Sequence, residues 1–110
     1  MRKFHRIRGR RNSFLKALAN NLIIKEKIQT TEARAKELRP RLEKLVTLAK
    51  KQNLASLRLL LSKLPQVSAA KLYYEIAPRY QDRKGGYLRV LKTSGQRKRD
   101  AARQAVIEFV

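Results

Sequence analysis

Ala77–Lys92 reads APRYQDRKGGYLRVLK, and it holds both a change of structure and a dense charge pattern. Pro78 excludes the helical conformation from the residue before it, so the helix leading to Ala77 is expected to stop there. Gly85-Gly86 supplies backbone freedom, φ > 0 included, that no other pair offers. From Tyr87 the pattern turns strand-like, with Tyr87, Val90 and Leu91 separated by charge. Arg79, Arg83, Lys84, Arg89 and Lys92 surround a single acid, Asp82. A backbone fixed at both ends of a cationic loop suits the holding of phosphates. An ordinary solvated loop fits the same residues equally well.

Beyond this stretch, TSGQRKRDAAR is a turn-rich basic connector in which Arg97, Lys98 and Arg99 form a second cluster. The closing QAVIEFV alternates as a strand with Ala105, Ile107 and Phe109 on one face, and such an apolar strand belongs inside a sheet. Upstream, Leu72, Tyr73 and Ile76 give a helix its buried side. Ser68 is placed to cap that helix and Val67 to staple onto Leu72. Before it lies a short helix capped by Asn53 and ended by Pro65, whose Leu54, Leu57, Leu60, Leu61 and Leu64 suit core first and a partner surface second.

Thr30 and Thr31 open the long helix EARAKELRPRLEKLVTLAK, where a threonine hydroxyl can accept from an orphan amide and Glu32 suits the first turn. Its stripe of Leu38, Leu42, Leu45, Val46 and Ala49 keeps phase across Pro40, which predicts one kinked helix and not two. For Lys36 and Arg39 on this helix, a solvated face and an RNA contact fit equally. The β-branched run over Lys27–Thr31 predicts a short strand. A first helix is expected from Asn12 or Ser13, packing through Leu15, Leu18, Ala19, Leu22 and Ile23.

Residues 1–11 form a basic arm with Arg2, Lys3, Arg6, Arg8, Arg10 and Arg11 and no acid. Phe4 and Ile7 are too few to bury it, so alone it should be mobile and should order along a phosphate backbone. The predicted order is therefore helix, strand, three helices, two strands. This describes an α+β fold, one two-layer domain over 12–110 behind the arm.

Net charge is +20, from 28 Lys and Arg against 8 Asp and Glu in 110 residues. Such a chain repels itself unless something anionic neutralises it, and nucleic acid is the leading partner. There is no cysteine and one histidine, His5, so neither a disulfide nor a Cys/His zinc site can form, and no cofactor is expected. The carboxylates are scattered among bases, without a catalytic constellation, and Gly85-Gly86 is no P-loop. No run approaches the ~20 apolar residues of a membrane span, and MRKFHRIRGRR lacks the apolar core of a secretory signal. No small-molecule substrate is expected.

The segments IQTTEARAKELRPRLEKLVTLAK, KLYYEIAPRYQDRKGGYLRVLK and DAARQAVIEFV together resemble the bacterial-type ribosomal large-subunit protein seventeen family. They cover most of the chain from residue 28, and APRYxDRxGGY with TTxxxAKELR upstream is highly specific as a combination. Three departures stand out: Leu88 in place of the usual threonine, QRKRD at Gln96–Asp100 in place of an RRGD-like turn, and a shorter arm. The resemblance implies a bacterial, cytoplasmic, non-enzymatic constituent of the large ribosomal subunit, near the peptide exit tunnel. Its implied partners are large-subunit rRNA and neighbouring ribosomal proteins. By position, Arg79, Arg83, Lys84, Gly85, Gly86, Tyr87 and Arg89 belong to the signature loop, and Thr30, Thr31, Lys36 and Arg39 to the helix entry. The rRNA-binding set expected overall is the six arm cations, Lys36, Arg39, Arg79, Arg83, Lys84, Arg89, Lys92 and Arg97–Arg99, with Gly85 and Gly86 shaping the loop. A free nucleic-acid-binding regulator would need a dimerisation surface and one concentrated recognition helix. A membrane-active polycation would need a helix with Lys and Arg on its polar face and few acids.

Overall fold

In the computed structural model, which describes residues 8–96 and 103–110, α1 spans Arg8–Lys25. It begins earlier than the Asn12 or Ser13 cap predicts. Arginine is a good helix former, so RGRR continues the helix backwards and both cap candidates fall inside it. Residues 1–7 of the expected arm lie outside the described residues. Leu15, Ala19, Leu22 and Ile23 form the buried face of α1, with Leu18 packed beside them.

A residue other than glycine ends α1 in the left-handed region. Glu26 has φ 63°, and its amide donates to the Leu22 carbonyl at 2.6 Å. Glycine is the usual occupant of such a helix end, so tertiary partners must hold Glu26 there. This corner delivers the chain into β1 (Lys27–Thr31), at the predicted place. Thr31 then closes the strand and caps the next helix, α2 (Glu32–Ala49). Its backbone is extended (φ −70°, ψ 150°) and its Oγ1 accepts from the Arg34 amide at 3.3 Å.

Helix α2 covers the sheet. Ala35, Leu38, Leu42, Val46 and Ala49 recur at helical spacing and are buried. Pro40 lies within the continuous helix on its exposed side, where a missing amide is best tolerated. The sheet itself has the order β1-β3-β2, antiparallel throughout, with β2 at Leu88–Gln96 and β3 at Arg103–Phe109. The C-terminal strand is thus the central one, and Ala105, Ile107 and Phe109 face the helices as their alternation predicts. Strand β2 outruns the predicted end at Lys92. Thr93–Gln96 stays extended, Thr93 Oγ1 donating to the Gln104 carbonyl at 3.1 Å, because pairing with β3 overrides the Ser-Gly turn signal. Arg97, Lys98 and Arg99 lie outside the described residues.

The middle helices depart more from expectation. α3 (Leu54–Lys63) opens on a full capping box between Asn53 and Ser56, as its sequence predicts for Asn53. Its leucines, however, are not all core. Leu60 and Leu64 are buried and Leu57 partly so, but Leu54 and Leu61 are exposed, because this short helix meets its neighbours along one edge only.

In α4 (Gln66–Lys71) the cap is Pro65. Ser68 is inside the helix, its Oγ donating to the Pro65 carbonyl at 3.1 Å, and Val67 points to solvent instead of stapling. Pro78 does not stop the helical path either. α4 widens into a π turn at Leu72–Ile76 and tightens into a 3-10 turn at Ala77–Tyr80. The proline ring crowds the carbonyl four residues back, Tyr74, and the widened turn relieves that crowding. Leu72, Tyr73 and Ile76 are buried as predicted.

Leu42→Ala should cost about 2–5 kcal/mol, since it empties a wholly buried site between α2 and the sheet. Leu61→Ala should stay within about 0.5 kcal/mol. Urea denaturation of the two variants checks the difference.

Candidate nucleic-acid interface

The signature loop is braced from beneath by a residue outside it. Lys50, at the end of α2, donates through Nζ to the Arg83 carbonyl and to Tyr87 Oη at 3.0 Å. The Tyr87 hydroxyl donates in turn to the same Arg83 carbonyl at 3.2 Å. The ammonium also stands 4.9 Å from the centre of the Tyr87 ring, a cation–π contact. Hydrogen bonding from Lys50 holds the Tyr87 phenol below its ordinary pKa.

The loop closes on itself above this post. The Arg83 amide donates to the Tyr80 carbonyl at 3.0 Å, and its guanidinium reaches the Gly86 carbonyl at 3.1 Å. Gly86 has φ 65°, the conformation that suits glycine, whereas Gly85 shows no left-handed φ and open space where a Cβ would stand. The permissive backbone is therefore needed at one position of the pair.

Tyr80 and Tyr87 pack on the core and do not project outward. They are 5% and 1% exposed, with ring centres 5.4 Å apart. Tyr80 also stacks on Phe109, and its hydroxyl donates to the Val110 carbonyl at 2.7 Å. Burial raises the Tyr80 pKa. Gln52 likewise joins two elements, its Nε2 donating to the Ala49 and Tyr73 carbonyls at 2.8 Å each.

Around this frame, five of the seven expected cations whose side chains are described meet a carboxylate. Lys36 lies 2.7 Å from Glu32, one helical turn away, and Lys92 reaches the same carboxylate at 3.6 Å. Arg39 approaches Glu43 at 3.6 Å. Arg79 pairs with Glu26, which also holds Lys71 at 3.3 Å. Arg89 and Lys27 flank Glu108 at 2.6 and 3.9 Å, one from each edge strand onto the central strand. The Arg79 hydrogen bond is the main reason that Glu26 sits below its ordinary pKa, and Lys36 does the same for Glu32.

These pairs do not sequester the cations. Between 45% and 64% of each of these five side chains stays in solvent. Exposed pairs of this kind are worth about 0–1 kcal/mol, so a phosphate can replace the glutamate at little expense.

The structure brings Lys36 and Lys92 together on one carboxylate and sets Arg83 and Lys84 in one loop. It does not gather the set on one face. Sheet register places Arg89 on the side away from the helices, while Lys36 and Arg39 stand on α2. The side chains of Arg8, Arg10 and Arg11, and all of Arg2, Lys3 and Arg6, lie outside the description. Lys50, Glu26 and Glu108, which position the expected residues, carry no local sequence signal, since their partners lie far along the chain. Glu26 and Arg79 are 53 residues apart, Lys50 and Tyr87 are 37.

Among the described residues no group of His, Cys, Asp and Glu could hold a metal ion, and no helix is long and apolar enough to cross a membrane. Together the fold and surface define a small, strongly cationic α+β domain that presents a braced basic loop. A family model, Ribosomal protein L17, matches residues 14–110, and the chain belongs to that family. It is 48% identical to the large ribosomal subunit protein bL17 of Staphylococcus carnosus, over 99% of this chain and 98% of that protein. The proteins of the same name from Desulfitobacterium hafniense and Hydrogenobaculum sp. are 49% and 46% identical, over 99% and 97% of this chain and 97% and 92% of theirs.

Gly86→Val should lose about 1–2 kcal/mol through left-handed strain, with Gly85→Ala close to neutral, both read by urea denaturation. Glu26 has a folded pKa below its unfolded value. Its contribution is therefore present above the ordinary value of 4.5 and lost as pH falls below that through the lowered one. Glu26→Gln should flatten the acid limb of stability against pH, leaving the part due to Glu32; an unchanged limb would show that the corner does not depend on the pair.

Proposed function

We propose that this chain is a structural constituent of the large ribosomal subunit in the bacterial cytoplasm, binding and stabilising large-subunit rRNA near the peptide exit tunnel. Membership of the L17 family, with relatives named as large-subunit proteins along almost the whole chain, is the observation that carries this reading. The net charge of +20 supports the rRNA part of it. As in the rest of its family, the chain is not an enzyme.

Structured RNA is A-form helix joined by loops and junctions, and its deep, narrow major groove bars side-chain readout. Recognition then rests on shape and phosphates, which scattered arginines and lysines suit. Arg83 and Lys84 meet the backbone from the braced loop. Lys36, Arg39, Arg79, Arg89 and Lys92 exchange a carboxylate for a phosphate. Arg2, Lys3 and Arg6 of the arm, Arg8, Arg10 and Arg11 at the start of α1, and Arg97, Lys98 and Arg99 extend the footprint. The bound protein offsets the charge of an RNA junction, rigidifies it, and abuts neighbouring ribosomal proteins.

Gradient sedimentation of a native lysate tests the reading. The chain should co-migrate with large subunits at one copy each through a moderate-salt wash; a chain found only at the top of the gradient would overturn the assignment. With about 8 phosphates neutralised, affinity of the free protein for rRNA should fall about 10³–10⁵-fold between 50 and 200 mM salt.

A further inference from the structure

A groove of about 550 Å³ opens between α1, α2 and the end of α3, away from the signature loop. Its apolar surface is the half-buried Leu45, which lies over Leu15, Ala19 and Leu38 of the core. Lys16, Lys44 and Lys63 stand around it, and among the described residues every charged side chain that lines it is a cation. None of these three lysines belongs to the sequence-predicted set. The volume falls within the range of about 300–1,000 Å³ in which proteins hold small organic groups.

An apolar patch under a rim whose charged members among the described residues, Lys16, Arg41, Lys44 and Lys63, are all cations, with Asn12 and Ser62 beside them, suits a base carried on an anionic chain. Lys44 also lines a second groove, shared with Thr47, Gly85, Gly86 and Tyr87 beside the signature loop. One side chain therefore stands between the loop and the α1–α2–α3 groove, so an RNA strand that leaves the loop meets Lys44 next.

We infer that this groove receives an unpaired nucleotide of an RNA strand, its base against Leu45 and its phosphates against Lys16, Lys44 and Lys63. The inference rests on the rRNA-binding reading and adds to it a single-stranded element seated on the helical side of the domain. Unpaired nucleotides are the parts of RNA whose bases are free to leave the stack and enter such a site.

The experiment is fluorescence anisotropy with the full chain and four probes. They are a short single-stranded oligouridylate, the same backbone without bases, an RNA duplex of equal length, and oligoglutamate. Lys16→Glu/Lys63→Glu is compared with a charge-matched control on exposed residues away from the groove, Lys25→Glu/Arg58→Glu. The groove variant should weaken oligouridylate binding about tenfold more than the control, and flatten its salt dependence by about 1.4 in log–log slope. The wild-type chain should bind the abasic strand more weakly than oligouridylate, and the duplex should respond equally to both variants.

Equal effects of the two variants on oligouridylate would overturn the groove and leave the rRNA reading standing. So would abasic binding as tight as oligouridylate. Oligoglutamate binding with the same variant dependence would identify an acidic peptide as the occupant and overturn the inference. Failure of the wild-type chain to bind either RNA would defeat both readings together.

Discussion

A net charge of +20 on 110 residues is the constraint that the described structure answers. Like charges brought together by folding raise the energy of the compact state, and the chain has only eight carboxylates to set against them. Among the described residues, Glu26, Glu32, Glu43 and Glu108 carry ion pairs, and three of these four are shared between two cations. Each shared pair joins elements remote in sequence or neighbouring in the sheet. Glu26 ties the α1–β1 corner to the turns before the loop, Glu32 ties α2 to β2, and Glu108 ties both edge strands to the centre. Individually such pairs are weak. Their value is to place the few negative charges where positive ones would otherwise crowd, while leaving an excess on the outside.

The loop depends on a different economy. Its cations Arg83 and Lys84 stay exposed while the groups beneath them hold the backbone. Tyr80 and Tyr87 are buried, Lys50 is spent on the Arg83 carbonyl, and the Arg83 guanidinium closes the turn on Gly86. A rigid presentation reduces the conformational entropy lost on meeting a polyanion, which is the advantage of a braced loop over a free basic tail. Lys50 thus sets the geometry of the loop, although it lies outside both short motifs, APRYxDRxGGY and TTxxxAKELR.

Local pattern made the α+β order readable. The α2 stripe, the Asn53 cap, the Lys27–Thr31 strand and the inward alternation of Ala105, Ile107 and Phe109 each follow from periodicity or capping, and all four are present. The misreadings fall on local stop or start signals that the chain ran through. Arginine propensity carried α1 past Asn12, a widened turn accommodated Pro78, and pairing with β3 kept Ser94-Gly95 extended. Leu54 and Leu61 show the reverse, apolar residues left exposed because a short helix can bury only one edge.

Composition and motif by themselves determined the family, the fold class, the positive surface and the cations that stand out along the chain. Those properties are carried by residue type and short-range spacing, which survive without any knowledge of what packs on what. Tertiary structure alone decided the rest: that the last strand is the central one, that Glu26 holds a left-handed corner against Arg79, that Lys50 is the post under the loop, and that Lys16, Lys44 and Lys63 meet around one groove. Each of these joins groups tens of residues apart, and a distance that only the folded chain closes leaves no periodicity to read.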